Sequence, residues 1–228
     1  MNSPDPTPAR LRIVPERRDE ALIPFRFQSG VASPLAIDCP PLAGPADEAW
    51  LAGAITESAE TAGAAWAAPA EDHPLDGWDK LMNLNVRSLL VFAQAVAKGG
   101  MIARRSGRII NIASIAGLGG NPPGMEMVAY NTSKGAVVNM TRALAAEWGE
   151  HQITVNAIAP GFFPSRMTHT TIARLGEAEM ASKAPLGRLG DDDDLKGAVL
   201  LFASDAGKHI TGQILAVDGG VSAVHGGG

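Results

Sequence analysis

Tyr130 and Lys134 stand four residues apart in the segment AYNTSKGAVV. On a helix, this spacing projects both side chains from one face, one turn apart. A phenol, whose pKa is about 10, is a poor acid–base catalyst at neutral pH, and a neighbouring ammonium lowers that pKa by stabilising the phenolate. The pair therefore predicts proton transfer, although the same spacing alone is common among surface residues. Tyr130 is the single tyrosine of the chain and follows a loop rich in Gly and Pro.

Two further polar residues interrupt apolar segments. Ser114 follows the run RIINIA, which predicts a buried strand, and open α/β sheets bind ligands beyond the carboxyl ends of such strands. The alternative for Ser114 is a hydroxyl that only caps the following turn. Asn85 interrupts the apolar pattern of a predicted helix. Its amide therefore either faces solvent or makes a specific hydrogen bond.

The elements that would position these residues alternate between helix and strand. The pattern predicts a helix from residue 75 to the glycines 99 and 100, a strand over 107–114, a helix over 129–149, a strand over 153–159, a helix over 191–205 and a strand over 212–220. A further short helix is predicted over 46–59. Alternating helices and apolar strands are typical of a doubly wound parallel α/β sheet with right-handed crossovers.

Together and in this order, five motifs resemble the short-chain dehydrogenase/reductase (SDR) family. They are Asn85 in LNV, Ser114 in SIAG, Tyr130 and Lys134 in YNTSK, NAIAPG over 156–161, and VDGG over 217–220. The resemblance extends over residues 62–224 and implies a Rossmann-like sheet. The joint pattern is far more specific than any one motif.

The resemblance also implies a role for each residue of the tetrad. Tyr130 would protonate a carbonyl oxygen, or act as the base for an alcohol, and Ser114 would hydrogen-bond the same oxygen. Lys134 would hold the nicotinamide ribose and lower the pKa of Tyr130. Asn85 would organise a water that links Lys134 to solvent. The implied reaction interconverts a small-molecule carbonyl and a secondary alcohol with NAD or NADP, and the stretch APGFFPSRMT is similar to 3-oxoacyl reductases.

The remaining implied contacts surround the cofactor. The resemblance assigns cofactor binding to Ala62, Gly63, Tyr130, Lys134, Pro160, Gly161, Phe163 and Ser165. Residues 165–186 would form a mobile substrate lid. Helices over 80–97 and 129–149 would build a homodimer or homotetramer.

The first 60 residues depart from the family pattern. They contain 9 of the 16 prolines and 3 of the 26 glycines, so the family's T-G-x-x-x-G-x-G phosphate loop cannot be located. The family's N-N-A-G element stands as ETAG over 60–63. We therefore divide the chain into an irregular segment 1–60 and an SDR-like catalytic part 61–228. Two interpretations remain for the first segment. It is a misjoined or wrong-frame translation, or the chain is a non-catalytic relative that acts in oligomerisation or regulation.

Composition excludes several other classes of function. A net charge of -5 and a pI near 5.5 argue against a general nucleic-acid partner. No uninterrupted apolar run predicts a membrane span, and the first residues lack the apolar core of a signal peptide, so we expect a cytoplasmic protein. The single cysteine, Cys39, and five scattered histidines predict no metal site. The acidic run 191–194 is interpreted as a helix cap.

Overall fold

The computed structural model of the chain describes residues 35–37, 65–165, 168, 172–173, 176–191 and 193–224. Several sequence predictions lie outside this part of the chain. They are the short helix over 46–59, the predicted cofactor contacts Ala62 and Gly63, and most of the irregular segment 1–60.

Within the described residues, the sheet has four strands in the order β1-β2-β3-β4. They are β1 (Leu35–Ile37), β2 (Gly107–Ile112), β3 (Ile153–Pro160) and β4 (Ile214–Val217). β2, β3 and β4 are parallel, whereas β1 pairs antiparallel with β2, Leu35 lying opposite Ile110. The predicted parallel α/β core is thus confirmed, and the antiparallel edge falls within the segment predicted to be irregular.

The helices that flank the sheet are α1 (Leu75–Met82), α2 (Ser88–Val96), α3 (Ile102–Arg104), α4 (Val128–Trp148), α5 (Glu177–Ser182) and α6 (Lys196–Ala203). Two π-helical turns, Asn83–Arg87 and Ala97–Met101, join the first three helices into one long helical stretch. The backbone leaves helical geometry at Gly100, where a kink separates two helices, and the second helix continues to Arg104. The predicted helix end at the glycines 99 and 100 is therefore confirmed.

Both faces of the sheet are covered, because successive strand residues point to opposite sides. Ile109 and Val155 pack with residues of α2, α4 and the turn between α2 and α3. Ile110 and Ile158 pack on the other face, against α6. Burial on both faces explains why β2 and β3 are continuous apolar runs rather than alternating ones.

The helical stretch Leu75–Arg104 is long and apolar enough to cross a membrane when judged by length and composition alone. The sequence prediction had found no such candidate. Length and composition are weak evidence here, because Leu89 and Ala93 of this stretch belong to the core. Only 22% of its most apolar window is buried, however, so one side of the stretch remains uncovered.

Candidate active site

Ser114 and Tyr130 meet at the carboxyl end of β2. Ser114 stands two residues beyond the strand, and Tyr130 lies in the first turn of α4. The two side chains are hydrogen-bonded to each other, and the Tyr130 side chain is buried. Ser114 also accepts a hydrogen bond of 3.2 Å from the main-chain N–H of Ala116, so it caps the turn Ile115–Gly117 as well. The turn-capping interpretation of Ser114 is therefore confirmed, and its role in a ligand site stays a prediction.

A close approach at Gly117 sets the position of Ser114 relative to α4. A Cβ atom at Gly117 would lie 2.5 Å from the main-chain carbonyl carbon of Lys134 and 2.9 Å from the main-chain nitrogen of Gly135. Real Cβ contacts of this kind do not occur, so the turn can rest on the helix backbone only where residue 117 is glycine. The glycine of SIAG thereby brings the hydroxyl of Ser114 to Tyr130.

Lys134 lies one turn beyond Tyr130 and is buried, with only 2% of its surface exposed. Its Nζ donates a hydrogen bond of 2.9 Å to the carbonyl oxygen of Ile112, the last residue of β2. The same Nζ lies 5.8 Å from the centre of the Tyr130 ring, within the range of a cation–π contact. Burial disfavours the charged form of the amine and lowers the pKa of Lys134 to about 8.

The phenol of Tyr130 differs from the sequence-based expectation of a lowered pKa. Burial disfavours the phenolate and raises the pKa of Tyr130, while the hydrogen bond with Ser114 opposes this rise. Lys134 is not among the groups that lower this pKa, and its Nζ bonds to the Ile112 carbonyl. Without a cofactor, the site therefore holds Tyr130 in its protonated form.

Asn85 joins the tetrad through a residue that the sequence analysis missed. It lies in the π-helical turn Asn83–Arg87 and is buried, with 1% of its surface exposed. Its Nδ2 donates to Ser133 Oγ at 3.0 Å, and Ser133 Oγ donates in turn to the carbonyl oxygen of Tyr130 at 2.8 Å. π-helical turns inside helices are frequent at functional sites. The sequence could have indicated Ser133 by its position, because it stands three residues after Tyr130 and so lies on the same helix face.

One large cavity, with a volume of about 1900 Å³, opens beside these residues. Its walls include Ser114, Tyr130 and Lys134, together with the predicted cofactor contacts Pro160, Gly161, Phe163 and Ser165. Asn85 does not line it. The structure thus brings together on one cavity every predicted site residue that it describes except Asn85, which lies behind the wall.

The far wall of the cavity starts where β3 ends. A Cβ atom at Gly161 would lie 2.6 Å from the Cβ atom of Asp218, so only glycine allows this crossing. The ring of Phe163 lies against Gly190, whose own Cβ would approach the ring to 2.4 Å. Ser165 Oγ lies 3.0 Å from the hydroxyl of Thr168, so the Ser165 hydroxyl has a local partner as well as facing the cavity.

Three residues of the acidic run, Asp191, Asp193 and Asp194, make ion pairs. Asp194 receives two hydrogen bonds from Arg188, of 2.6 and 2.7 Å, and this contact holds the pKa of Asp194 well below its usual range. Asp194 also accepts from the N–H of Asp191 at 2.8 Å. Across the residues that the structure describes, no group of three or more His, Cys, Asp or Glu side chains could hold a metal ion.

The comparisons with known proteins agree with this geometry. A family model described as enoyl-(acyl carrier protein) reductase matches residues 46–222. Gluconate 5-dehydrogenase of Gluconobacter oxydans (strain 621H) is 36% identical over 156 residues, which cover 68% of this chain and 59% of that protein. The chain belongs to the short-chain dehydrogenase/reductase family. The SDR match begins at residue 46, inside the segment 1–60 that the sequence analysis had set apart.

Two further SDR proteins illustrate the range of relatives. The rhamnolipids biosynthesis 3-oxoacyl-[acyl-carrier-protein] reductase of Pseudomonas aeruginosa is 40% identical over 165 residues, covering 70% of this chain and 63% of that protein. A crystal structure of a gluconate 5-dehydrogenase from Burkholderia cenocepacia J2315, in complex with NADP and tartrate, is 32% identical with a TM-score of 0.68. It covers 78% of this chain and 72% of that one. The chain spans less than two thirds of the length of both curated relatives.

The described residues fit one end of a dinucleotide. The buried ammonium of Lys134 suits a ribose with hydroxyl acceptors, and Pro160, Gly161 and Phe163 line the same cavity. No turn with the T-G-x-x-x-G-x-G pattern occurs between residues 65 and 224, so the described part of this SDR chain offers no such loop for the phosphates. The fit is therefore to the nicotinamide end.

Proposed function

We propose that this SDR chain is an NAD(P)-dependent oxidoreductase that interconverts a carbonyl and a secondary alcohol. The observation that carries the proposal is that Ser114, Tyr130 and the buried Lys134 line one cavity, with Lys134 one helical turn from Tyr130. Two hydroxyls that converge on one point of a cavity form a site for a single oxygen atom of a substrate.

In the reducing direction, Tyr130 and Ser114 would both donate to the carbonyl oxygen of the substrate. Tyr130 suits the role of acid because burial keeps its phenol protonated. The hydrogen bonds from both hydroxyls strengthen as negative charge develops on that oxygen, so they stabilise the transition state more than the ground state. Tyr130 then transfers its proton to the oxygen. In the oxidising direction, the phenolate accepts the proton of the alcohol.

Lys134, Pro160, Gly161, Phe163 and Ser165 would hold the nicotinamide end of the cofactor, which supplies or accepts the hydride when bound. The ammonium of Lys134 would turn from the Ile112 carbonyl towards the ribose, where it also stabilises the phenolate of Tyr130. Ser133 and Asn85 would act behind the site, by holding the carbonyl group of Tyr130 and so the first turn of α4.

For the substrate, we propose a 3-oxoacyl-type ketone. The lining of the cavity includes the apolar side chains of Leu118, Met125, Phe162 and Val224, alongside charged ones such as Glu126, Glu179 and Lys183. The apolar side chains suit an acyl chain, because burying its apolar surface against them is favourable. The alternative is a sugar acid, the substrate class in the name of the Gluconobacter oxydans relative.

Cofactor titration tests the proposal first. Purified protein would be titrated with NADH and NADPH, and binding would be followed by thermal shift and by cofactor fluorescence. We expect saturable binding of at least one of them. No binding at millimolar concentrations would remove the enzyme interpretation for this chain and favour the non-catalytic one.

Turnover then tests the role of Tyr130. Tyr130→Phe should lower turnover by about 10²- to 10⁴-fold, the usual contribution of a general acid, and leave cofactor affinity largely unchanged. Asn139→Ala is the matched control, because Asn139 lies on the same helix and is exposed. Unchanged turnover in Tyr130→Phe would refute the assigned role.

We propose in addition that the chain forms a cytoplasmic homodimer or homotetramer, whether or not it is catalytic. Two apolar side chains of α2, Leu90 and Val91, are 37% and 55% exposed on the uncovered side of the stretch Leu75–Arg104. A second copy of the same helix would cover them. Light scattering on the purified protein should give a multiple of 23.6 kDa, and Val91→Glu should shift the mass to that of one chain. A monomeric wild type would exclude this proposal.

A further inference from the structure

A pair of asparagines joins the substrate side of the cavity to the helix that carries Tyr130. Asn131 follows Tyr130 directly, and Asn121 lies in the loop 118–127 between the Ile115–Gly117 turn and α4. Each side chain donates from Nδ2 to the Oδ1 atom of the other, and both distances are 3.2 Å. The two amides therefore form a closed, reciprocal pair.

The same two amides also hold the loop backbone at two points. Asn131 Nδ2 donates to the carbonyl oxygen of Gly119 at 3.2 Å, and Asn121 Nδ2 donates to the carbonyl oxygen of Met125 at 3.3 Å. Three of these side-chain hydrogen bonds link the loop to Asn131 on α4, and the fourth lies within the loop. Amide groups suit this task because each one carries both donors and an acceptor.

Main-chain hydrogen bonds from the N–H of Met125 to the carbonyl oxygen of Pro122 and from the N–H of Ala68 to that of Glu126 also shape the loop. Its sequence is LGGNPPGMEM, and side chains added at Gly119, Gly120 or Gly124 would meet no neighbouring atom within 4 Å. Gly124 has a φ of 83°, a backbone conformation that favours glycine. All ten residues, from Leu118 to Met127, line the cavity. A segment rich in glycine and open on its outer side loses much conformational entropy when it is ordered, so a few side-chain bonds decide whether it is held.

We propose that Asn121 and Asn131 are positioning residues that hold the loop 118–127 as the substrate wall of the cavity. Asn131 holds the loop at the residue next to Tyr130. The positions of the substrate wall and of the proton donor therefore both depend on the first turn of α4. Loss of the pair releases the wall while the tetrad remains in place, because Tyr130, Ser114 and Lys134 make their contacts without either asparagine. This inference rests on the proposed function for its kinetic consequence but not for its structural one.

The structural consequence is tested by hydrogen exchange on the intact chain. In Asn131→Ala, three of the four side-chain bonds are lost, and amides of residues 118–127 should exchange about tenfold faster or more. Exchange in β2 and β3 should stay unchanged. Asn121→Ala should have the same effect, and the double variant should add little to either single one, because the two amides act as a unit. Asn139→Ala, on the same helix, should leave exchange in the loop unchanged.

The kinetic consequence is tested with a 3-oxoacyl thioester and NADPH or NADH. We expect each variant to raise the KM for the thioester about tenfold, with cofactor affinity unchanged and kcat reduced by less than threefold. Unchanged exchange in the loop would overturn the proposal. So would a loss confined to kcat, because that result would place the asparagines in the chemical step. If the wild type shows no turnover at all, the proposed function fails, and the exchange data alone decide whether the pair holds the loop.

Discussion

The ammonium of Lys134 and the carbonyl oxygen of Ile112 lie 2.9 Å apart at the end of β2. This bond gives the buried cation a partner that belongs to the sheet. Tyr130, one turn away, has a raised pKa because burial disfavours its phenolate. The acid of the proposed reaction and the cation that would tune it thus lie side by side, with the ammonium 5.8 Å from the centre of the ring.

The first prediction concerns the pKa of Tyr130. Because Tyr130 is the only tyrosine of the chain, the near-ultraviolet absorbance of phenolate reports on this one group. In the cofactor-free protein, we expect the titration midpoint above about 10, the ordinary value for tyrosine. Saturating NADP or NAD, in the oxidised form, should lower the midpoint, because the nicotinamide ring is cationic and Lys134 is drawn towards the ribose.

Tyr130→Phe is the blank for this titration and should show no phenolate signal in the folded protein. A midpoint below 10 without cofactor would contradict the dominance of burial. No change on saturation would show that Lys134 stays with the Ile112 carbonyl.

The second prediction concerns stability and pH. The pKa of Lys134 is about 8 in the folded protein and about 10.4 for an ordinary lysine. Between these values the unfolded chain binds more protons, so the free energy of unfolding rises with pH. Below pH 8 both states hold the proton, and the contribution is constant. Over the whole range between the two pKa values, the free energy of unfolding should rise by about 3 kcal/mol, at 1.36 kcal/mol per pKa unit.

Urea unfolding of wild type and Lys134→Met from pH 7 to pH 10 measures this contribution. The wild type should gain stability relative to Lys134→Met as the pH rises above 8, and the difference should be flat below it. Staying below pH 10 keeps the titration of Tyr130 out of the comparison. If the difference in stability between the two proteins does not change with pH, the desolvation of Lys134 that the structure shows is contradicted.

Much of the fold could be predicted from sequence periodicity. The strand β2 and the strand β3 are long apolar runs bounded by Gly and Pro, and their burial on both faces follows from that pattern alone. The helix end at the glycines 99 and 100 could also be predicted, because the backbone leaves helical geometry at Gly100. The short helix that follows as far as Arg104 could not, because it depends on Met101, which is buried in the core.

The site was predictable only where a residue type implies chemistry. Tyr130 and Lys134 met that condition, because a phenol and an amine at helical spacing suggest proton transfer. Ser133 and Asn131 did not, since their roles depend on partners 48 and 10 residues away, Asn85 and Asn121, that only the fold brings together. The direction of the Tyr130 pKa was also beyond the sequence, because it depends on burial and on where the Lys134 ammonium points.

The third prediction concerns Gly117. Gly117→Ala would place a Cβ atom 2.5 Å from the main-chain carbonyl carbon of Lys134, so the turn must move away from α4. Overpacking of this kind costs about 1–3 kcal/mol of stability. Because the same movement separates Ser114 from Tyr130, we expect turnover to fall by about tenfold or more.

Gly149→Ala is the matched control, since a Cβ atom there meets no neighbouring atom within 4 Å. It should leave both stability and turnover close to those of the wild type. Turnover that survives in Gly117→Ala despite a lower melting temperature would show that Ser114 does not depend on the turn for its position.

The last prediction separates Asn85 and Ser133 from the groups that touch substrate. Asn85 donates to Ser133, and Ser133 donates to the carbonyl group of Tyr130. In Ser133→Ala, the buried amide of Asn85 loses this acceptor and the carbonyl group of Tyr130 loses this donor. The free energy of unfolding should therefore fall by about 1–3 kcal/mol. The phenol keeps its partner Ser114, so turnover should fall less than in Tyr130→Phe.

A double-mutant cycle with Asn85→Ala and Ser133→Ala measures the connection. Because the two side chains share one hydrogen bond, the double variant should lose less than the sum of the single variants, by about 0.5–3 kcal/mol in the free energy of unfolding. The pH dependence of turnover distinguishes a positioning role from a proton relay. If Asn85 only positions Ser133 and Tyr130, Asn85→Ala lowers turnover by the same factor at every pH. If Asn85 organises a water that carries protons to Lys134, the loss grows where proton transfer limits the rate, and the role implied by the SDR resemblance is then the correct one.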